Sequence, residues 1–166
     1  MFKTIQSLSV VFLLTIIFQP IFVNVDAKAE DYELKGVVSY VNDGDTFVLE
    51  DRVNKRKYNI RLYGLDADEI DHGEGKNRRE PGPYGEKARI ALEKMIKGSF
   101  VRVFTLDISY ERLVGIVYLG DRNICLEMIR AGHAKVYKYY LRDPYKDDYI
   151  KAEEEAKKDK IGIWKE

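Results

Sequence analysis

Hydrophobic and polar residues alternate along this chain in three different ways. Between Lys3 and Asp26 there is no charged residue at all, and the run from Val10 to Phe18 is almost wholly apolar. From Glu33 the pattern breaks into short β-like stretches. Leu34 to Val41 and Thr46 to Leu49 are separated by Asn42-Asp43-Gly44-Asp45, which is strong tight-turn chemistry. Tyr58, Ile60 and Leu62 alternate with Asn59 and Arg61, predicting a third strand with one wet face. Val101, Val103 and Thr105 predict a fourth, and Leu113 to Leu119 a fifth, in which Gly115 marks a bulge or barrel bend rather than a break.

Helical spacing governs the rest. Ala88, Ala91, Leu92, Met95 and Ile96 share one face of a helix predicted between Tyr84 and Lys97, with Gly98 as its stop. Asn123 caps a second, short helix running to Arg130 and ending near Gly132. A third spans Tyr145 to about Asp159, with Tyr149, Ala152 and Ala156 on one face; Glu153-Glu154-Glu155 and Lys157-Lys158 read as its solvated side. Five short strands with a helix between the third and fourth follow the order of a Greek-key OB barrel. The expected fold is therefore α+β, mainly β: a five-stranded OB-fold Greek-key barrel with three helices, preceded by a hydrophobic leader.

Length and composition fit one domain plus that leader. The 166 residues suffice for a core without disulfides, and the single Cys125, in the apolar stretch Ile124 to Ile129, reads as a small core residue. Residues 1–27 read as a signal peptide, with small residues at Ala27 and Ala29, or as an uncleaved membrane anchor; Gln19, Pro20 and Asn24 interrupt the apolar run and favour cleavage. Either way residues 33–166 form the domain and face outside: secreted, or anchored with the domain external. Basic and acidic residues balance at 28 each, which argues against a protein coating nucleic acid by bulk charge. An enzyme with a few local cations and a metal remains compatible.

Candidate chemistry concentrates at strand ends. Asp45 opens a strand after the turn, and Asp66, Asp68 and Glu69 cluster after the strand that carries Arg61. Hard cations take several oxygen ligands, so such carboxylates can converge on one. A carboxylate can also serve as general base, while Arg61 and Arg112 match phosphate oxygens with two parallel N–H donors. Taken singly, Asp-Gly-Asp-Thr is only a turn and an edge arginine only a solvated charge. The connection from Asp66 to Pro83 is the one long loop; its His72 with Asp71 and Glu74 offers a weak second metal set, and Lys76, Arg78 and Arg79 could steer phosphate.

The ensemble says more than its parts. Asp43-Gly44-Asp45-Thr46, Arg61-Leu62-Tyr63-Gly64-Leu65-Asp66-Ala67-Asp68-Glu69, Tyr84-Gly85-Glu86-Lys87-Ala88 and Tyr110-Glu111-Arg112 resemble, in order and spacing, the staphylococcal nuclease (thermonuclease) family. Gly132-His133-Ala134-Lys135-Val136 and Ile161-Gly162-Ile163-Trp164 resemble its later segments. The resemblance implies that Asp45, Asp66 and the carbonyl of Ala67 bind one calcium ion. It implies that Glu69 orients or deprotonates the attacking water, that Arg61 and Arg112 clamp the phosphate, and that Tyr110 and Tyr140 contact substrate. By the same resemblance the substrates are DNA and RNA, the products end in 3′-phosphate, and the enzyme is a monomer with no stable protein partner. Three residues depart from the family pattern: Asp68 stands where proline is usual, Ala67 for a common threonine, and Lys138 for a substrate-contacting tyrosine. The loop from Ile70 to Pro83 is also longer than in the best-known member. The rival from another class is a non-catalytic OB module; loss of the carboxylates or arginines would favour it, and all five are present.

Overall fold

The computed structural model describes residues 32–71, 80–139 and 141–165. The leader, the middle of the long loop (72–79, with His72, Glu74, Lys76, Arg78 and Arg79) and Tyr140 lie outside these described residues.

Five long strands close into a barrel. They are β1 (Glu33–Val41), β2 (Thr46–Asp51), β3 (Arg56–Leu62), β5 (Phe100–Ser109) and β6 (Arg112–Leu119), with the two-residue strand β4 (Leu65–Asp66) falling between β3 and β5. Neighbours run antiparallel in the order β3-β2-β1-β5-β6, and β3 pairs with β6 in parallel to shut the ring. Phe47, Leu49, Ile60, Leu62, Val101 and Ile116 are all buried and fill it; the alternation is clear along β3 and the start of β5, while Thr46, Tyr63 and Val117 are buried beside their apolar neighbours. The expected mainly-β Greek-key OB barrel with three helices is what the chain builds.

Among the described residues, three α-helices pack around the barrel. α1 (Gly85–Ile96) buries Gly85, Ala88, Leu92 and Ile96, an i, i+3, i+7, i+11 stripe. Gly98 follows at φ 76°, a left-handed position that glycine takes without steric cost. A two-residue strand β7 (Arg122–Asn123) leads into α2 (Ile124–Arg130), whose first turn is capped as expected: the Asn123 side-chain oxygen accepts from Leu126 N–H at 3.1 Å. After α2 come β8 (Lys135–Val136), α3 (Lys146–Lys158) and a closing turn of 3₁₀ helix at Gly162–Trp164. Cys125 is fully buried, and burial pushes its thiol up to about 11, as befits an inert core residue.

The bend read at Gly115 is shared between two strands. Pairing steps from Thr105↔Gly115 to Asp107↔Val114, so the extra residue, Leu106, belongs to β5. Gly115 permits the close approach opposite it, since a Cβ there would stand 2.7 Å from the Phe104 carbonyl oxygen. Residues 113–115 of β6 pair with β3 on one side and β5 on the other, so this contact lies where the barrel closes.

One expectation needs correction. Glu153 was assigned to the solvated face of the third helix, yet it is only 5% exposed. Its Oε1 accepts the Val136 amide at 2.8 Å and its Oε2 the Lys157 ammonium at 2.6 Å. The reason is tertiary: among the described residues β8 pairs with β4 alone, which leaves the Val136 N–H needing a partner that α3 supplies. Glu153→Ala should therefore cost about 1–3 kcal/mol in urea unfolding, and Glu153→Gln, which keeps an acceptor, clearly less. Equal losses for the two variants would refute this role.

Candidate active site

Four local devices bring the polar residues together at one end of the barrel. The Asn42–Asp45 turn is held by Asn42 N–H and Asp43 N–H, both donating to the Thr46 carbonyl, and by Asp45 N–H donating to Asp43 Oδ1 at 3.0 Å. Leu62 N–H then donates to the Asp45 carbonyl at 2.8 Å, which ties this turn to the end of β3. β4 follows after a turn at Gly64, and its pairing with β8 fixes the backbone of Asp66. Finally, β5 and β6 are joined by the two residues Tyr110 and Glu111, at φ 48° and 63°. A two-residue hairpin turn of this hand normally carries asparagine or glycine. Here it holds Tyr110 91% exposed at the tip and starts β6 at Arg112.

Arg61 is the centre of the arrangement. Its Nη1 donates to Asp45 Oδ1 at 2.9 Å, its Nη2 lies 2.9 Å from Asp45 Oδ2, and the same Nη2 donates to Asp66 Oδ1 at 2.7 Å. One guanidinium thus bridges two of the three carboxylates expected to act, in the two-pronged geometry available to arginine alone. Asp45 also accepts from Thr46 Oγ1 at 2.8 Å and from the Ala67 N–H at 3.3 Å. Arg112 reaches the same threonine, its Nη1 lying 3.4 Å from Thr46 Oγ1. Glu69 stands three residues beyond Asp66; its carbonyl accepts from Gly82 N–H at 3.0 Å, and it does not line the groove described next.

A groove of about 490 Å³ opens beside these residues. Arg61 and Arg112 line it, with Tyr110 at its rim, and Arg142 and Tyr137 contribute from the chain after β8. Arg142 went unnoticed in the sequence, where nothing distinguishes it from other surface cations. It is set in place by a contact far away in sequence, its backbone N–H donating to the Tyr63 hydroxyl at 2.8 Å. Asp43 was read only as part of a turn, yet its side chain is buried and props Asp45. Tyr140 lies outside the described residues.

The donor set fits a hard cation. Asp45, Asp66 and the Ala67 carbonyl offer oxygen only, and among the described residues no group of three or more acidic, histidine or cysteine side chains could hold a metal ion unaided. Remaining ligands would be water or substrate oxygens. Electrostatics agree. Burial raises the Asp45 carboxyl to about 7, against the opposing pull of Arg61 and with further help from Asp43. A buried carboxylate in this state is relieved by a positive charge.

This shift has a sign that can be measured. Without metal, the folded protein holds the Asp45 proton more tightly than the unfolded chain does, so its contribution to stability is complete below pH 4 and is lost as pH rises through 7. In chelator, unfolding free energy should fall from about pH 4 to pH 8, by at most on the order of 4 kcal/mol across that whole range. Asp45→Asn should flatten that part of the profile. Parallel profiles for the two proteins in urea titrations would contradict the assignment.

Comparison with known proteins adds an independent line. Residues 59–166 match the family described as staphylococcal nuclease homologue. A probable staphylococcal-like nuclease of rice (Oryza sativa subsp. japonica) is 34% identical over 142 residues, 82% of this chain and 35% of the relative. A probable endonuclease of Komagataella phaffii is 33% identical over 161 residues, covering 79% of this chain and 69% of the relative. An uncharacterized endonuclease of Haemophilus influenzae is 31% identical over 125 residues, 75% of this chain and 62% of its own. This chain spans about a third of the rice relatives' length. With the barrel closed through β3 and β6 and this match running over more than half its residues, the chain belongs to the staphylococcal nuclease family.

Proposed function

We propose that this protein is a calcium-dependent endonuclease that hydrolyses phosphodiester bonds in DNA and RNA and leaves 3′-phosphate ends. The observation that carries the reading is that Arg61, which bridges Asp45 and Asp66, lines a groove together with Arg112, while the two carboxylates stand outside the groove lining. A site of this kind sets acid oxygens for a cation beside guanidinium groups for an anion. Both are what a phosphodiester under attack requires.

In this reading Asp45, Asp66 and the Ala67 carbonyl hold the ion, which when bound polarises the scissile phosphate and neutralises developing charge. Arg61 and Arg112 donate to the phosphate oxygens and strengthen their grip as negative charge builds at the pentacoordinate phosphorus. Glu69 takes the proton of the incoming water or holds that water in line. Tyr110, exposed on the hairpin tip, offers a ring face to substrate, and Tyr140 is assigned as the second tyrosine that contacts substrate. The apolar leader would carry the domain outside the cell, free or tethered, and the enzyme would act as a monomer.

The direct test is the chemistry of the products. Single-stranded DNA incubated with calcium and the protein lacking residues 1–27 should yield fragments that a polymerase extends only after phosphatase treatment. Fragments extended at once would mean cleavage on the other side of the phosphorus. No cleavage at all would favour the non-catalytic binding module.

A further inference from the structure

The mechanism above leaves Asp68 without a task, although it lies between the proposed metal ligands and Glu69. Its Oδ2 accepts the Tyr84 N–H at 3.3 Å. Tyr84 precedes the first residue of α1, and its own side chain does not cap the helix; the next amide, Gly85 N–H, donates to the Gly82 carbonyl at 3.2 Å. A carboxylate here also faces the positive end of the helix dipole. The backbone makes the same junction from the other side. Gly82 N–H donates to the Glu69 carbonyl at 3.0 Å.

Two glycines make this contact possible. A Cβ on Gly82 would stand 2.5 Å from the Asp68 carboxyl carbon, and one on Gly85 would stand 2.1 Å from the Glu69 carbonyl oxygen. The start of α1 therefore presses directly on the Asp68–Glu69 backbone. α1 itself is anchored: Ala88, Leu92 and Ile96 are fully buried, and Gly44, next to Asp45, packs so closely that a Cβ there would lie 2.5 Å from Ala88 Cβ. The helix thus carries the Asp45 turn on one flank and the Asp68–Glu69 segment on the other.

We infer that Asp68 is a positioning residue: by binding the amide of Tyr84, the residue that leads into α1, it clamps the Glu69 backbone to the helix and sets the direction in which the Glu69 carboxylate is presented. This rests on the assignment of Glu69 made above. It needs no charge on substrate or metal, only an acceptor at the Asp68 Oδ2 position.

Steady-state cleavage of single-stranded DNA in saturating calcium, with circular dichroism on each variant, tests it. D68A should lower kcat about 10–100-fold with KM within a factor of about two, since small misplacement of a reacting group costs that much. D68N keeps an acceptor for Tyr84 and should recover most of the loss. In a double-mutant cycle D68A should add nothing once Glu69 is glutamine, because both changes disable one group. Wild-type kcat in D68A, equal losses in D68A and D68N, or an undiminished D68A effect in the E69Q background would each overturn the proposal. Should D68A fail to fold, G82A replaces it in the cycle, since the added methyl displaces the Asp68 carboxyl; the same outcomes then decide. If E69Q itself cleaves at the wild-type rate, the role of Glu69 falls and this inference with it, whereas an impaired E69Q beside an unaffected D68A removes the inference alone.

Discussion

Arg61→Ala is expected to lower kcat by about 10³–10⁵-fold, the range seen when an arginine that stabilises a phosphoryl transition state is removed. The size follows from what the guanidinium touches. It holds both oxygens of Asp45 and one of Asp66 while lining the substrate groove, so its loss strips the phosphate clamp and leaves two carboxylates without their cation. Arg61→Lys should recover little, because an ammonium is a point charge and cannot bridge two carboxylates in parallel while facing a third anion. Breaking a buried ion pair also destabilises, by about 3–5 kcal/mol. The rate must therefore be measured on protein shown to be folded. Arg112→Ala separates the two effects. Its guanidinium is held among the described residues by one long contact to Thr46, so alanine there should cost about 10²–10³-fold in kcat with little change in the unfolding midpoint. An Arg61→Ala protein that folds and keeps even a tenth of the wild-type kcat would sink the proposed mechanism.

Withdrawing the metal should have the second great effect: cleavage falls to the uncatalysed background in chelator and returns with calcium. The donor set argues for this ion class. The proposed set, Asp45, Asp66 and the Ala67 carbonyl, is all oxygen with neither histidine nor thiolate, and the two carboxylates come from separate elements, the turn before β2 and β4. Zinc would favour nitrogen and sulfur ligands, and magnesium a tighter octahedron. Binding has a readout that does not depend on turnover. Calcium bound only by the folded state should raise stability by about 2.7 kcal/mol at a hundred times its Kd, seen as an upward shift in melting temperature at pH 8. Asp45→Asn should abolish both the shift and the activity. Equal cleavage with and without chelator would rule out the metal-assisted reading outright.

Much of this architecture was readable before any tertiary contact was known. The turn at Asn42–Asp45, the alternation of Tyr58 to Leu62, the cap at Asn123 and the stop at Gly98 each depend on a residue and its near neighbours, and each stands where the pattern predicted it. The strand at Phe100–Ser109 ran longer than the alternation of Val101, Val103 and Thr105 suggested, because the Leu106 bulge breaks the period before the strand ends. β4 and β8 were missed for a related reason: two residues carry no periodicity. Yet their pairing fixes the Asp66 backbone.

The sequence by itself determined the strands, helices and caps of this protein, and the order of its candidate carboxylates and arginines, because those signals are local and additive. Only the tertiary structure decided what those groups do to one another. Glu153 left the solvated face because an amide of β8 needed it. Arg142 joined the groove because Tyr63, 79 positions away, binds its backbone. Asp68 turned from an unexplained charge into a clasp because two glycines let α1 approach its backbone. For Glu153 the deciding term is the cost of leaving a buried amide unpaired; for Arg142 and Asp68 it is a part-buried hydrogen bond, and in each case the partner comes from a chain segment distant in sequence.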